Sequence, residues 1–95
     1  MTYKLRFQEL AWAEWEKLDA TIRERFKKKL VESLQNPRVP TAALSSMKNC
    51  YKIKLRDVGY RLIYQVEDNV ISVSVIAIGK REKDKVYKLA KARLQ

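Results

Sequence analysis

Polar and apolar residues alternate most strictly from Cys50 to Arg56, where Tyr51, Ile53 and Leu55 are apolar and Lys52, Lys54 and Arg56 are cationic. A period of two sends successive side chains to opposite faces of a strand, so this segment has one oily face and one basic face. Asp57-Val58-Gly59 reads as a turn in which Gly59 takes the positive φ, and Tyr60 to Val66 rises again as a second strand. Pairing Leu55 with Leu62, Ile53 with Tyr64 and Tyr51 with Val66 sets apolar residues opposite apolar ones and puts Arg61 beside Arg56 on the basic face. Cations gathered in this way repel one another unless an anion belongs between them.

The other segments fall into place around this pair. Thr2 to Phe7 alternates as a short first strand; from about Gln8 the period lengthens, with Ala11, Trp12, Trp15 and Leu18 at helical spacing until Asp19-Ala20. Thr21 and Glu24 have capping-box spacing, and Ile22, Phe26, Leu30 and Leu34 then recur every fourth residue, which predicts a helical hairpin. Its Lys27-Lys28-Lys29 run reads first as a solvated face. Pro37 and Pro40 end the second helix, and an irregular stretch to Asn49 is anchored by Leu44 and Met47. Asp68-Asn69 suits a tight hairpin into a third strand, Val70 to Ile78. Pairing Val66 with Ile71, Tyr64 with Val73 and Leu62 with Val75 adds Ser72 and Ser74 to the basic face. Gly79 closes the strand, and a last helix follows with a thin apolar stripe of Val86, Leu89, Ala90 and Leu94, Tyr87 lying off it. So small an apolar face holds weakly and can be displaced by a partner. The order predicts one compact α+β domain over residues 1–95, with two helices on one face of an antiparallel sheet and a concave cationic face left open.

Charge sharpens the picture. With 21 Lys and Arg against 11 Asp and Glu, the net charge of +10 points to nucleic acid or an acidic protein as partner. One cysteine, no membrane-length apolar run and no signal peptide suggest the cytoplasm and no membrane contact. Without histidine, Cys50 is a small strand-end residue rather than a nucleophile, and zinc sites, Cys-His pairs and Ser-His-Asp triads are excluded. Two isolated glycines build neither a Walker loop nor a dinucleotide fingerprint. Expected cofactors and metals are none. The remaining working groups are Lys, Arg, Tyr and Ser, which suit cleavage of an RNA phosphodiester by its own 2′-hydroxyl. Lysines crowded by Arg56 and Arg61 should lose their protons more easily than usual. The same face could equally serve only to bind phosphates, and the residue pattern leaves both readings open.

The runs Cys50-Tyr51-Lys52-Ile53-Lys54-Leu55-Arg56, Gly59 to Val66 and Val75 to Glu82, with Val86-Tyr87 beyond, resemble the RelE family of bacterial toxins. The likeness extends over nearly the whole chain, including Trp15, Lys27 to Val31 and Pro37-Arg38, and is to RelE proper within the RelE/ParE superfamily. The resemblance implies a microbial-ribonuclease-like α+β fold and a metal-free endoribonuclease that cuts mRNA in the A site of the 70S ribosome, leaving a 2′,3′-cyclic phosphate. It places the catalytic set on Lys52, Lys54, Arg61, Arg81 and Tyr87, with RNA contacts from Arg56, Lys80, Lys83, Lys27 and Lys28. Lys52 and Lys54 would act as base and charge stabiliser, Arg61 would hold the scissile phosphate, Arg81 would serve the leaving oxygen and Tyr87 would stack or orient the substrate. A RelB-like antitoxin is implied too, displacing the terminal helix from about Lys83 onward and linking the toxin to operator DNA as corepressor. Ala43 to Met47 departs from the family pattern, which is usually basic with a glycine, so docking on ribosomal RNA should be weaker. The competing expectations are a non-catalytic, ParE-like gyrase inhibitor and a plain nucleic-acid-binding module; the latter would want interleaved aromatics that this sheet lacks.

Overall fold

The computed structural model describes residues 2–80, 82 and 85–94. Its elements run β1 (Lys4–Phe7), α1 (Glu9–Lys17), α2 (Ala20–Gln35), β2 (Cys50–Leu55), β3 (Tyr60–Glu67), β4 (Ser72–Lys80) and α3 (Lys85–Arg93). The sheet order is β1-β4-β3-β2, antiparallel except that β1 lies parallel to β4 at the outer edge. The α+β class and the element order agree with the sequence reading.

The helical hairpin is fixed by caps at both starts. The Gln8 side chain accepts from the amides of Leu10 and Ala11 at 2.8 and 3.1 Å. Asp19, not Thr21, caps α2 by accepting from Thr21 N at 3.1 Å, so the helix begins at Ala20 and no capping box forms. Ala11, Leu18, Phe26 and Leu30 then pack on Tyr51, Ile53, Leu55, Leu62, Tyr64, Val66, Val73, Val75 and Ile78, the main core. The Tyr64 hydroxyl, deep in this layer, donates to the Pro37 carbonyl at 2.7 Å and ties the end of α2 to the sheet.

Both strand registers differ from expectation, by two residues between β2 and β3, and between β3 and β4 by two near the turn and three from Leu62 on. Leu55 faces Tyr60, Ile53 faces Leu62 and Tyr51 faces Tyr64, leaving only Arg56 to Gly59 for the turn. Gly59 holds φ of +71°, and Asp57 is clamped by two bonds from Arg25 of α2, at 2.9 and 2.7 Å. A shift of two preserves which face each residue occupies, so hydrophobic matching alone could not choose between the registers. At the other hairpin, Asp68–Val70 forms a 3-10 turn closed by Ile71 at φ 49°, so Val66 meets Val73 and Tyr64 meets Val75.

β4 also carries a bulge. Tyr64 pairs with Val75 but Ile63 pairs with Ala77, leaving Ile76 as the extra residue. Val75 and Ile78 enter the main core, whereas Ile76 and Ala77 turn to the opposite face, against Val86 and Ala90 of α3. The second face is therefore not the open concave surface expected: α3, Met47, Cys50 and Ile63 make a smaller second core across its middle. Cys50 is 1% exposed there, and burial pushes its thiol up to about 11, in keeping with a structural role.

β1 covers β4 only as far as Val75, and beyond it the exposed edge is met by side chains. Glu14 of α1 accepts from Ile78 N at 3.1 Å, and Arg93 of α3 donates to the Ile76 carbonyl at 2.9 Å. The two side chains are themselves bridged, at 2.8 and 3.0 Å, so α1, β4 and α3 are fastened at one point. Replacing Arg93 by Ala should cost about 2 kcal/mol, as expected for charge-assisted bonds at a partly buried site. Amide exchange in α3 should rise far more than in α2, and equal rises in both helices would refute this placement of the fastening.

Candidate active site

The second face has a covered middle and a cationic end. Reading across the sheet, Lys54 lies opposite Arg61, which lies opposite Gly79; one step inward, Lys52 lies opposite Ile63, then Ala77. A side chain is missing at Gly79, where a Cβ would sit 3.7 Å from Val86, so α3 approaches the sheet closely beside this cationic end. Lys52, Lys54 and Arg61 thus share one face at consecutive positions, as the alternation predicted. Arg61 sits opposite Lys54 rather than beside Arg56, which is exposed in the turn.

Arg61 is only 5% exposed, and its Nη1 donates to the Tyr60 carbonyl at 3.0 Å. The ion pairs among the described residues are Arg25–Asp57, Arg38–Asp68 and Arg93–Glu14, so none of them neutralises this cluster. The turn carboxylate nearest in sequence, Asp57, is held below the usual carboxylate range by the Arg25 guanidinium and is engaged there. The Lys54 ammonium is shifted below the ordinary lysine value, first by the Lys52 charge, then by partial desolvation and by Arg56 and Arg61. A lysine that gives up its proton more readily, next to an arginine with hydrogen-bond donors to offer, can move a proton and hold a phosphate in one place.

Tyr87 joins the site from α3. It lines a cavity of about 390 Å³ with Lys52, walled on one side by Ala43 to Ser46 and on the other by Lys88 and Lys91. A second cavity, about 220 Å³, runs along the outer edge of β2 past Lys52 and Lys54 to Lys29. Lys29 is thus the member of the lysine run that comes near the cluster, whereas Lys27 and Lys28 are exposed on a helix packed over the other face. Lys80 is exposed, its Nζ 5.8 Å above the Tyr60 ring. Arg81 and Lys83 lie outside the described residues. Ser72 and Ser74 do share the second face, but at its far end, beyond Ile63 and Ala77. Their hydroxyls donate to the Val70 carbonyl and to Glu67, each at 3.2 Å, so they do not extend the cationic surface. Among the described residues no three His, Cys, Asp or Glu side chains gather as metal ligands, and no helix is long and apolar enough to cross a membrane.

The sequence missed the lining supplied by Lys29, Ser45, Ser46, Lys88 and Lys91. The unusual composition of 43–46 was visible, but not that α3 lies across from it.

This geometry has known counterparts. The family model for "ParE toxin of type II toxin-antitoxin system, parDE" matches residues 5–85. The chain belongs to this toxin family. Within the family its resemblance is to RelE: it is 53% identical over 94 residues to the mRNA interferase toxin RelE of Escherichia coli strain K12, covering 99% of each chain. The mRNA interferase RelE of Shigella flexneri matches to the same degree. Among solved structures, an arginine double mutant of E. coli RelE in the free state superposes with a TM-score of 0.92 at 52% identity, covering all of both chains. The same mutant bound to the antitoxin peptide RelBc gives 0.83 at 53% identity over 95% of each chain. The family resemblance read from the sequence is therefore borne out.

Because Lys52 is the foremost cause of the Lys54 shift, replacing Lys52 by Ala should move Lys54 titration upward, toward the ordinary lysine value. NMR of ε-carbon-labelled lysines across the alkaline range measures this. An unmoved Lys54 would mean that desolvation, not its neighbour, sets the shift.

Proposed function

We propose that this RelE-type toxin is an endoribonuclease that cleaves mRNA in the ribosomal A site and so blocks translation. The observation that carries the reading is the convergence of Lys52, Lys54 and Arg61 on one sheet end, with Tyr87 beside Lys52 in the adjoining cavity. The printed names of the E. coli and Shigella relatives, both mRNA interferases, support it.

The substrate carries its own nucleophile, the 2′-hydroxyl, so the protein need only align it, take its proton and steady the negative charge that grows on phosphorus. Lys54 accepts the proton as its amine is freed by like-charge crowding, while Lys52 offsets charge at the phosphate. Arg61, anchored on the Tyr60 carbonyl, grips the scissile phosphate. Tyr87 orients the neighbouring base, and Arg81, beyond the described residues, attends the leaving oxygen. The 2′-oxygen bonds to phosphorus as the bond to the 5′-oxygen breaks; the 5′-oxygen leaves with that electron pair and takes a proton from water, while Lys54 returns its own to solvent, giving a 2′,3′-cyclic phosphate and a 5′-hydroxyl. No step requires a metal at this site, so toxin stripped of metal by a chelator and then freed of the chelator should cleave on ribosomes as before. A base of this kind is weak at neutral pH, and the ribosome supplies in-line geometry that the isolated site does not.

A RelB-like antitoxin neutralises the toxin in the cytoplasm, in keeping with the E. coli RelE complex with RelBc, and the pair acts on its own operator. Auxiliary contacts to ribosomal RNA come from Arg56, Lys80, Lys83, Lys27 and Lys28.

Purified protein added to programmed ribosomes should cut mRNA within the A-site codon, read by primer extension, and should leave ribosome-free mRNA intact. Arg61→Ala should slow cleavage by about 10²-fold or more, the usual cost of removing a donor to developing charge. Intact mRNA on ribosomes, together with impaired DNA supercoiling by gyrase, would replace this reading with the ParE-like one.

A further inference from the structure

Among the described residues, the cavity shared by Lys52 and Tyr87 is lined by three lysines and no carboxylate. Two of those lysines, Lys88 and Lys91, have no part in the cleavage scheme. Both are exposed and stand on α3 three residues apart, with Tyr87 one turn before Lys91, so all three project from one side of the helix. Val86 and Ala90 are buried on the other side, and Arg93 reaches the β4 edge. Across the gap the wall is Ala43 to Ser46, whose Ser45 and Ser46 offer hydroxyls that can donate or accept. Lys91 is in the last helical turn, where a cation also suits the helix dipole, but Lys88 is not, so that account leaves it unexplained.

We infer that the Lys88–Lys91 side of α3 is a phosphate-holding subsite for single-stranded RNA, seating the nucleotide next to the one cleaved. This deepens the ribonuclease reading and rests on it for the identity of the neighbouring site. A volume of about 390 Å³ falls in the range of small-molecule sites, roughly 300–1,000 Å³, and accommodates one nucleotide. Its parts match that ligand: ammonium groups for the backbone phosphate, an aromatic ring for the base face, and serine hydroxyls for a base edge. The subsite exists only while α3 is docked, because its two walls belong to different parts of the chain, α3 and the 43–46 loop. A partner that lifts α3 therefore removes the subsite as well as Tyr87.

The test compares Lys88→Ala/Lys91→Ala with the charge-matched Lys4→Ala/Lys17→Ala, in the full chain. All four positions are exposed, so both variants should keep the wild-type melting temperature. A short fluorescein-labelled 2′-O-methyl RNA oligonucleotide, which cannot be cleaved, reports binding by anisotropy over a salt series. Loss of two phosphate contacts should weaken binding about tenfold near physiological salt. It should also flatten the slope of log K against log salt by about 1.4, at ~0.7 per contact for single strands. The charge-matched variant should change affinity less than about twofold, as expected of distant screened charges. On programmed ribosomes the first variant should need more toxin for half-maximal cleavage while keeping the maximal rate, unlike Arg61→Ala, which lowers that rate. Equal binding by the two variants would overturn the subsite. So would an unchanged oligonucleotide affinity with weakened antitoxin binding, which would assign these lysines to the protein partner. Lysine-dependent oligonucleotide binding by a protein that leaves ribosomal mRNA whole would uphold the subsite and remove only the cleavage reading.

Discussion

β4 is paired on both sides for only half its length, and the way its free half is closed governs the site. A strand edge with unmet amide and carbonyl groups must find partners or water. Here the bulge at Ile76 turns one carbonyl and, two residues on, one amide toward Arg93 and Glu14, which also bind each other. The bulge has a second effect: it places Ile76 and Ala77 together on the face that receives α3. One irregularity thus supplies both the apolar seat and the polar anchor of a helix whose own apolar stripe is thin. Tyr87 and the wall of the larger cavity are held in place by that seat.

The cationic cluster sits where the fold can tolerate it. Like charges at Lys52, Lys54 and Arg61 repel one another, and the acidic side chain nearest in sequence, Asp57, is engaged by Arg25 instead of relieving them. The turn is braced by that ion pair, and the repulsion is left for an anionic ligand to resolve. A separate network braces the other end of the sheet: Arg38 bonds Asp68, Asn49 and Tyr51, while the Tyr3 hydroxyl donates to Asp68 at 2.7 Å.

The face and the identity of the cluster were legible because period-two alternation in β2 and β3 reports directly on side-chain direction. Register was not, since a slip of two residues leaves that report unchanged, and it was decided by a four-residue turn and by Ile71 in a left-handed conformation. The consecutive apolar run Val75 to Ile78 hid the bulge: with both faces buried, nothing in the pattern marks the residue that breaks step. Glu14 and Arg93 lie 79 residues apart, and neither stands out from the charged surface around it until the fold brings them to one edge. The same holds for Lys88 and Lys91, which in sequence are ordinary helix-surface lysines.

β2 forms the other border of the sheet. Its first half is covered by the bridge from Ala43 to Tyr51, with Leu44 N donating to the Cys50 carbonyl at 2.9 Å. Among the described residues, the remainder to Leu55 has no further strand beside it. Lys52 and Lys54 stand on that uncovered stretch, where a lysine repels any second strand seeking to add on. The charges of the cationic face therefore also guard this stretch of edge. Neutralising them would leave the backbone edge of β2 without a charged guard, although Cys50, Tyr51, Ile53 and Leu55 stay buried, so this stretch of edge and the cationic face share the same two side chains.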